Sequence, residues 1–232
     1  MISLKDNNSL VRKVGFLFIL VILLQIPMFF INRIIDEREY SYRNMVREIG
    51  NEWGEKQTIA GAFLIIPYSD VKVEYDEYGK KIERNVVKDW ILLPDKLNVK
   101  VDLKDEVRKR GIYKTTVYSG DIILEGEFPK LRDILPANLN PYNIGIGLGI
   151  TDTKSLMKVE EFKVEGKDIY LESGTGVTQH LLNTGISGTV SENILQKDKI
   201  KFSIKLSLRG NGGIEILPFG KENHFEISST WK

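Results

Sequence analysis

The chain has 232 residues, 42% hydrophobic and 28% charged, with a formal net charge of +1 and no cysteine. The absence of cysteine excludes disulfides, thiolate metal sites and cysteine nucleophiles, and two histidines, His180 and His224, cannot build a multi-histidine metal site. Balanced charge with no basic block argues against nucleic-acid binding, which rests on clustered Lys and Arg neutralising phosphates.

Residues 1–13 form a short basic tail carrying Lys5, Arg12 and Lys13. Val14 to Asn32 follows as 19 uncharged residues in which Gln25 is the one strongly polar side chain and Pro27 sits where membrane helices tolerate a kink. As a helix this segment is about 28 Å long at 1.5 Å per residue, close to the hydrocarbon thickness of a bilayer. A cleaved secretory signal has a shorter apolar region ending at small residues, and Phe29-Phe30-Ile31-Asn32-Arg33 offers no such site. The segment reads as an uncleaved transmembrane helix, residues 14–32. Basic residues flank it on both sides, but long domains translocate largely regardless of charge. The expected orientation is amino terminus in, with the large domain extracytoplasmic.

Residues 33–53 carry Ile35, Tyr42, Met45, Val46, Ile49 and Trp53 at three- and four-residue steps, and Glu39 stands four before Arg43. This predicts an amphipathic juxtamembrane helix, and its mixed charges favour docking on the domain over lying on a membrane surface.

After Gly54 the period becomes two, opening a β-rich extracytoplasmic domain over residues 54–232. Thr58 to Pro67 reads as a buried strand stopped by Pro67. Val71–Tyr75 and Ile82–Leu93 read as a hairpin around Asp76-Glu77-Tyr78-Gly79. Further strands are expected at Leu97–Val107, Ile112–Phe128 (bent near Ser119-Gly120), Ile144–Thr151, Ile169–Glu172, Ile200–Leu208 and Ile214–Leu217. Turns fall at Ser173–Gly176 and Gly210–Gly213. The proline-rich stretch at 129–141 is irregular and is the best internal boundary. The fold class is mainly β, an antiparallel sandwich-like domain behind the two helical segments.

Few constellations suggest chemistry. Gly145-Ile-Gly147-Leu-Gly149 alternates glycine with apolar residues, which fits a strand approached closely by other backbone better than a phosphate loop. Ser173, His180 and Asp121 are the residue types of a triad, but nothing in the sequence brings them together. His180 reads as structural, and His224, within Lys221–Phe225, as a solvated turn residue. Asp70, Glu74, Asp76 and Glu77 lack the spacing of a calcium loop and read as a solvated hairpin tip. No catalytic, cofactor-binding or metal residue is assigned.

Several segments resemble the CreD family of bacterial inner-membrane proteins. Arg110-Gly-Ile-Tyr through Val117-Tyr-Ser-Gly-Asp121 is the most specific match. Ile34–Tyr40 is similar to the family's exit segment, Gly61–Pro67 to its Gly-Pro-x-Leu-x-Ile-Pro strand with Ala62 in place of proline, Thr151–Leu156 loosely to an Asp-x-Arg-Gly segment, and Glu172–Gly176 to its Gly-Thr-Gly turn. Family members continue through further domain and several more spans, whereas this chain ends at Trp231-Lys232. The resemblance implies the amino-terminal half of such a protein, acting in envelope integrity or stress response without a defined molecular activity, and the expected role is a non-enzymatic, structural or interaction one. The expected partners are the lipid bilayer and either another envelope protein or the missing carboxyl-terminal part. The alternative is a cell-wall glycan-binding module or enzyme.

Overall fold

The computed structural model describes residues 7–75, 77–135, 143–177 and 184–231. The chain divides into two compact units, one ending at Glu48 and one running from Ile49 to Lys232.

The described residues of the first unit lie in α1 (Asn7–Trp53), one continuous helix with Pro27 inside it. The transmembrane and juxtamembrane segments are thus parts of a single element. From residue 11 to residue 40 every side chain is exposed, including Phe16, Leu17, Phe18, Ile19, Leu23, Leu24, Phe29 and Phe30. No core helix of a soluble protein presents such a surface to water, and the segment has the length and composition to cross a membrane. Glu39 and Arg43 form the ion pair that their spacing predicts.

The second unit is two six-stranded sheets. One has the order β11-β1-β5-β9-β8 with β2 also on β1, and the other β12-β3-β4-β10-β6-β7. Its strands are β1 (Gln57–Tyr75), β2 (Lys81–Leu92), β3 (Lys96–Arg110), β4 (Tyr113–Pro129), β5 (Gly145–Ile150), β6 (Leu156–Val164), β7 (Lys167–Asp168), β8 (Glu172–Ser173), β9 (Gly185–Thr189), β10 (Lys199–Asn211), β11 (Ile214–Ile216) and β12 (Glu222–Ser229). A one-turn helix, α2 (Leu131–Ile134), follows β4. Most pairings are antiparallel, but β11 runs parallel to β1 and β12 parallel to β3.

Period-two alternation builds the core. Leu97, Val99 and Val101 of β3, Ile122, Leu124 and Phe128 of β4, and Ile200, Phe202, Ile204, Leu206 and Leu208 of β10 point inward to meet Ile59, Leu64 and Ile66 of β1 and Ile146 and Leu148 of β5. Phe128 and Phe202 pack with ring centroids 5.0 Å apart. A bulge between Gly61 and Phe63 opposite β5 shifts the alternation by one. Ile59 faces the core before it, and Leu64 and Ile66 after it. The Gly61–Ala62 peptide bond at this bulge is cis.

Several expectations change in detail. Pro67 does not stop its strand: β1 runs on to Tyr75, with Pro67 opposite Asp89 of β2. Proline is tolerated where the missing N–H would face away from the ladder, and β5 pairs β1 only as far as Ile65. Ile169–Leu171 is not strand, and Glu172–Ser173 pairs with β9. The sequence pattern does not foresee β6, β7, β9 and β12, because charged residues in Leu156–Val164, the two-residue length of Lys167–Asp168, small residues in Gly185–Thr189 and polar residues in Glu222–Ser229 obscure the apolar alternation.

Candidate functional site

The start of the β unit is tied down by a compact junction. Gly54 ends α1 with a φ of +97°, a left-handed conformation that favours glycine, and its N–H donates to Gly50 O at 2.7 Å. Two guanidinium groups approach the Trp53 ring, with Arg108 Cζ 4.5 Å and Arg209 Cζ 5.4 Å from its centroid. Arg209 also donates to Glu52 O at 3.0 Å, and Arg110 stands 3.8 Å from the Glu52 carboxylate. Below them the fully buried Gln57 donates through Nε2 to Glu55 O and accepts the Asp152 amide on Oε1. The Tyr118 hydroxyl donates to Gly213 O at 2.8 Å, and its burial pushes its pKa far up, so it remains a neutral donor. These groups fasten the last helical turn to β3 and β10.

The outer face of the second sheet carries an open concavity of about 420 Å³, lined in part by Lys96, Asn98, Glu125, Glu127, Lys163 and Lys201. Several of its charges are paired across strands. Lys199 donates to Glu127 at 2.6 Å, with Lys96 at 3.8 Å, and Lys205 donates to Glu161 at 3.2 Å. The Lys199 hydrogen bond holds the Glu127 carboxyl below the usual carboxylate range. Glu165 is pushed up by burial, but the Lys201 amide at 2.7 Å and the Lys197 ammonium at 3.1 Å outweigh it and hold it low. A general acid needs the opposite shift.

At one edge of this sheet lies β12. Its outer face is stitched to β3 by Lys100–Glu226 at 3.0 Å, Lys96–Glu222 at 3.9 Å and a Ser228 to Asp102 hydrogen bond at 3.1 Å. On the other face, Phe225 and Ile227 stand in register with the core residues Val99 and Val101. Val99 and Val101 are buried, whereas Phe225 is 38% and Ile227 60% exposed. The core-facing side of this edge strand is therefore only partly covered by the described residues.

The residues singled out in the sequence fall as follows. Ser173 belongs to the first sheet, while Asp121 lies in the second on β4, accepting from Ser207 Oγ at 2.7 Å. The structure does not bring these two together, and His180 lies outside the described residues. His224 is not in a turn: it is an exposed residue of β12, opposite Asn98. The glycines of Gly145–Gly149 form β5, and a Cβ at Gly147 would stand 2.6 Å from Thr175 O and 2.7 Å from the Phe63 ring. Close approach accounts for the glycine there. Asp70 pairs with Lys88, and Glu74 with Lys72 and Arg84, on the β1–β2 hairpin, while Asp76 lies outside the described residues. Asp152 accepts the Lys154 amide, capping a short turn of helix at Thr153–Ser155. Among the described residues no cluster of acidic or histidine side chains has the arrangement of a metal site.

Sequence reasoning missed the Trp53 clamp and the β12 edge. The alternation of Phe225 and Ile227 with polar neighbours was the available signal for β12. The clamp unites residues far apart in sequence and left none.

Comparison with known proteins agrees with these features. A family model described as "Inner membrane protein CreD" matches residues 9–232. The chain is 29% identical over 231 residues to the inner membrane protein CreD of Escherichia coli (strain K12), a match that covers 97% of this chain and 50% of that protein. The chain thus spans about half the length of the curated relative it matches. No solved structure matches it. A single apolar helix, a β-rich unit behind it and a family match along nearly the whole sequence lead to one conclusion: the chain belongs to the CreD family of inner membrane proteins.

Proposed function

We propose that this chain is a non-enzymatic, membrane-anchored docking protein of the bacterial envelope. Its short basic tail is cytoplasmic, its β unit extracytoplasmic, and its role is in envelope integrity or stress response. The observation that carries this reading is the core-facing side of β12, only partly covered by the described residues, where Phe225 and Ile227 continue the buried row of Val99 and Val101 to a half-exposed edge. Burying a large apolar side chain contributes about 1.5–3 kcal/mol, and an edge strand offers unpaired backbone groups alongside. Such an edge suits an extended partner segment with an apolar face. The occupant is the segment equivalent to the half of the E. coli relative that this chain does not match, carried on the same polypeptide or another. Absence of catalysis is supported by the separation of Ser173 from Asp121 and by the lowered carboxyls of Glu127 and Glu165.

Co-expression tests the docking. The tagged chain should co-purify with a carboxyl-terminal half of a CreD-family protein, and replacing Phe225 and Ile227 by Asp should abolish this without lowering the melting temperature of the chain alone. Undiminished co-purification of the double variant would refute the reading. The cell-wall glycan alternative would use the concavity of the second sheet, where Glu127 is already engaged by Lys199 and Lys96. Saturable binding of purified peptidoglycan, lost on K96A/E127A substitution, would favour that alternative.

A further inference from the structure

The β1–β2 hairpin projects beyond the rest of its sheet. β5 leaves β1 at Ile65, and from there to Tyr75 the described partner of β1 is β2 alone. The opposite edge of Val71–Tyr75 is open among the described residues. Val71, Val73 and Tyr75 alternate onto one face, where Val87 of β2 joins them opposite Ser69 and the polar Asn85, Glu83 and Lys81 stand directly across from them. Val71, Val73, Tyr75 and Val87 are all exposed, between 42% and 70%. The other face carries Lys72 and Glu74, paired with each other at 2.9 Å, with Arg84 3.9 Å from Glu74. The Val71 amide is answered by its own neighbour, donating to Asp70 Oδ1 at 2.8 Å. An isolated two-stranded ribbon is marginal in water, and an edge strand with an exposed apolar stripe invites a further strand.

We propose that this arm pairs with the same arm of a second copy of the chain, β1 against β1, antiparallel about a two-fold axis at Val73. The sequence Val71-Lys72-Val73-Glu74-Tyr75 is complementary to itself in that register. On the charged face, Lys72 stands opposite Glu74 of the second copy and Glu74 opposite its Lys72. On the apolar face, Val73 meets Val73, and each Val71 meets a Tyr75. Opposite charges and apolar residues placed directly across an antiparallel pair stabilise it, whereas like charges destabilise it. Centring the pair on Lys72 would set Asp70 against Glu74, and centring it on Glu74 would set two Glu74 side chains together. Within the five residues Val71–Tyr75 the Val73 register matches both faces, and it generates a closed, isologous dimer. This surface is separate from the β12 edge, so the two can be occupied together.

Cysteine cross-linking of the full chain in native membranes tests the pairing, with no background because the chain has no cysteine of its own. V73C should form a covalent dimer with a short thiol cross-linker. V71C and Y75C, carried on differently tagged copies, should cross-link to each other and not to themselves. In the V73C background, K72E or E74K alone should lower the cross-linked fraction several-fold. K72E/E74K together should restore it, which loss of folding would not do. Absence of V73C cross-linking, V71C joining to V71C, or a double charge swap no better than the singles would each overturn the proposal. So would a dimer that forms through another surface and leaves Cys at position 73 unreacted.

Discussion

At the scale of single residues, the unit is held by close packing and by paired charge, and the two respond differently to perturbation. Gly147 sits where the Thr175 carbonyl and the Phe63 ring crowd β5. A methyl group cannot enter without moving backbone, so G147A should cost roughly 1–3 kcal/mol and lower the melting temperature of the chain in detergent. The paired carboxylates predict the acid response. Hydrogen bonds from Lys199, Lys130 and Lys56 hold Glu127, Asp198 and Glu215 below their ordinary values. A carboxyl with a depressed folded-state pKa contributes stability above its unfolded value and loses it as pH falls through the folded value. Melting temperature should therefore be flat near neutrality and decline below about pH 4.5. These groups are solvent-screened, so each contribution is small. A profile that rises on acidification would contradict the assignment.

At the scale of elements, the long helix, the hairpins and the core strands were legible because their periodicity is strong. Val14–Asn32 is uninterrupted, and Leu97, Val99 and Val101 alternate cleanly with Asn98 and Lys100. β6, β9 and β12 were obscured because tertiary partners, not local pattern, hold them in place. β12 shows why: Glu222 to Ser229 is exposed throughout, and its parallel pairing with β3 joins residues more than a hundred positions apart. Pro67 misled for a related reason, since a proline terminates a strand only where its N–H is needed. The junction at Trp53 was equally hidden, because it forms from Arg108 and Arg209 on different strands. W53A removes both cation–π contacts, at about 0.5–1 kcal/mol each. The variant should melt lower and be cleaved faster by protease near residues 49–56. Unchanged cleavage there would show that the clamp does not fasten the helix end.

At the scale of the whole molecule, a membrane helix, a junction, a two-sheet sandwich and a half-exposed edge strand follow one another in chain order. Ser173 lies on the first sheet and Asp121 on the second. The proposed orientation predicts that protease added to intact spheroplasts digests the β unit and leaves the membrane segment. Resistance until the membrane is permeabilised would reverse the orientation.

The central claim, that the β12 edge receives a partner segment, is tested most directly by hydrogen exchange. Exchange of the full chain is followed with and without a carboxyl-terminal half of a CreD-family protein. Amides of Glu222–Ser229, and of Phe225 and Ile227 in particular, should become markedly slower when the partner is present, while the buried amides of β4 and β10 stay unchanged. Unaltered exchange along β12, with protection arising elsewhere, would contradict the account.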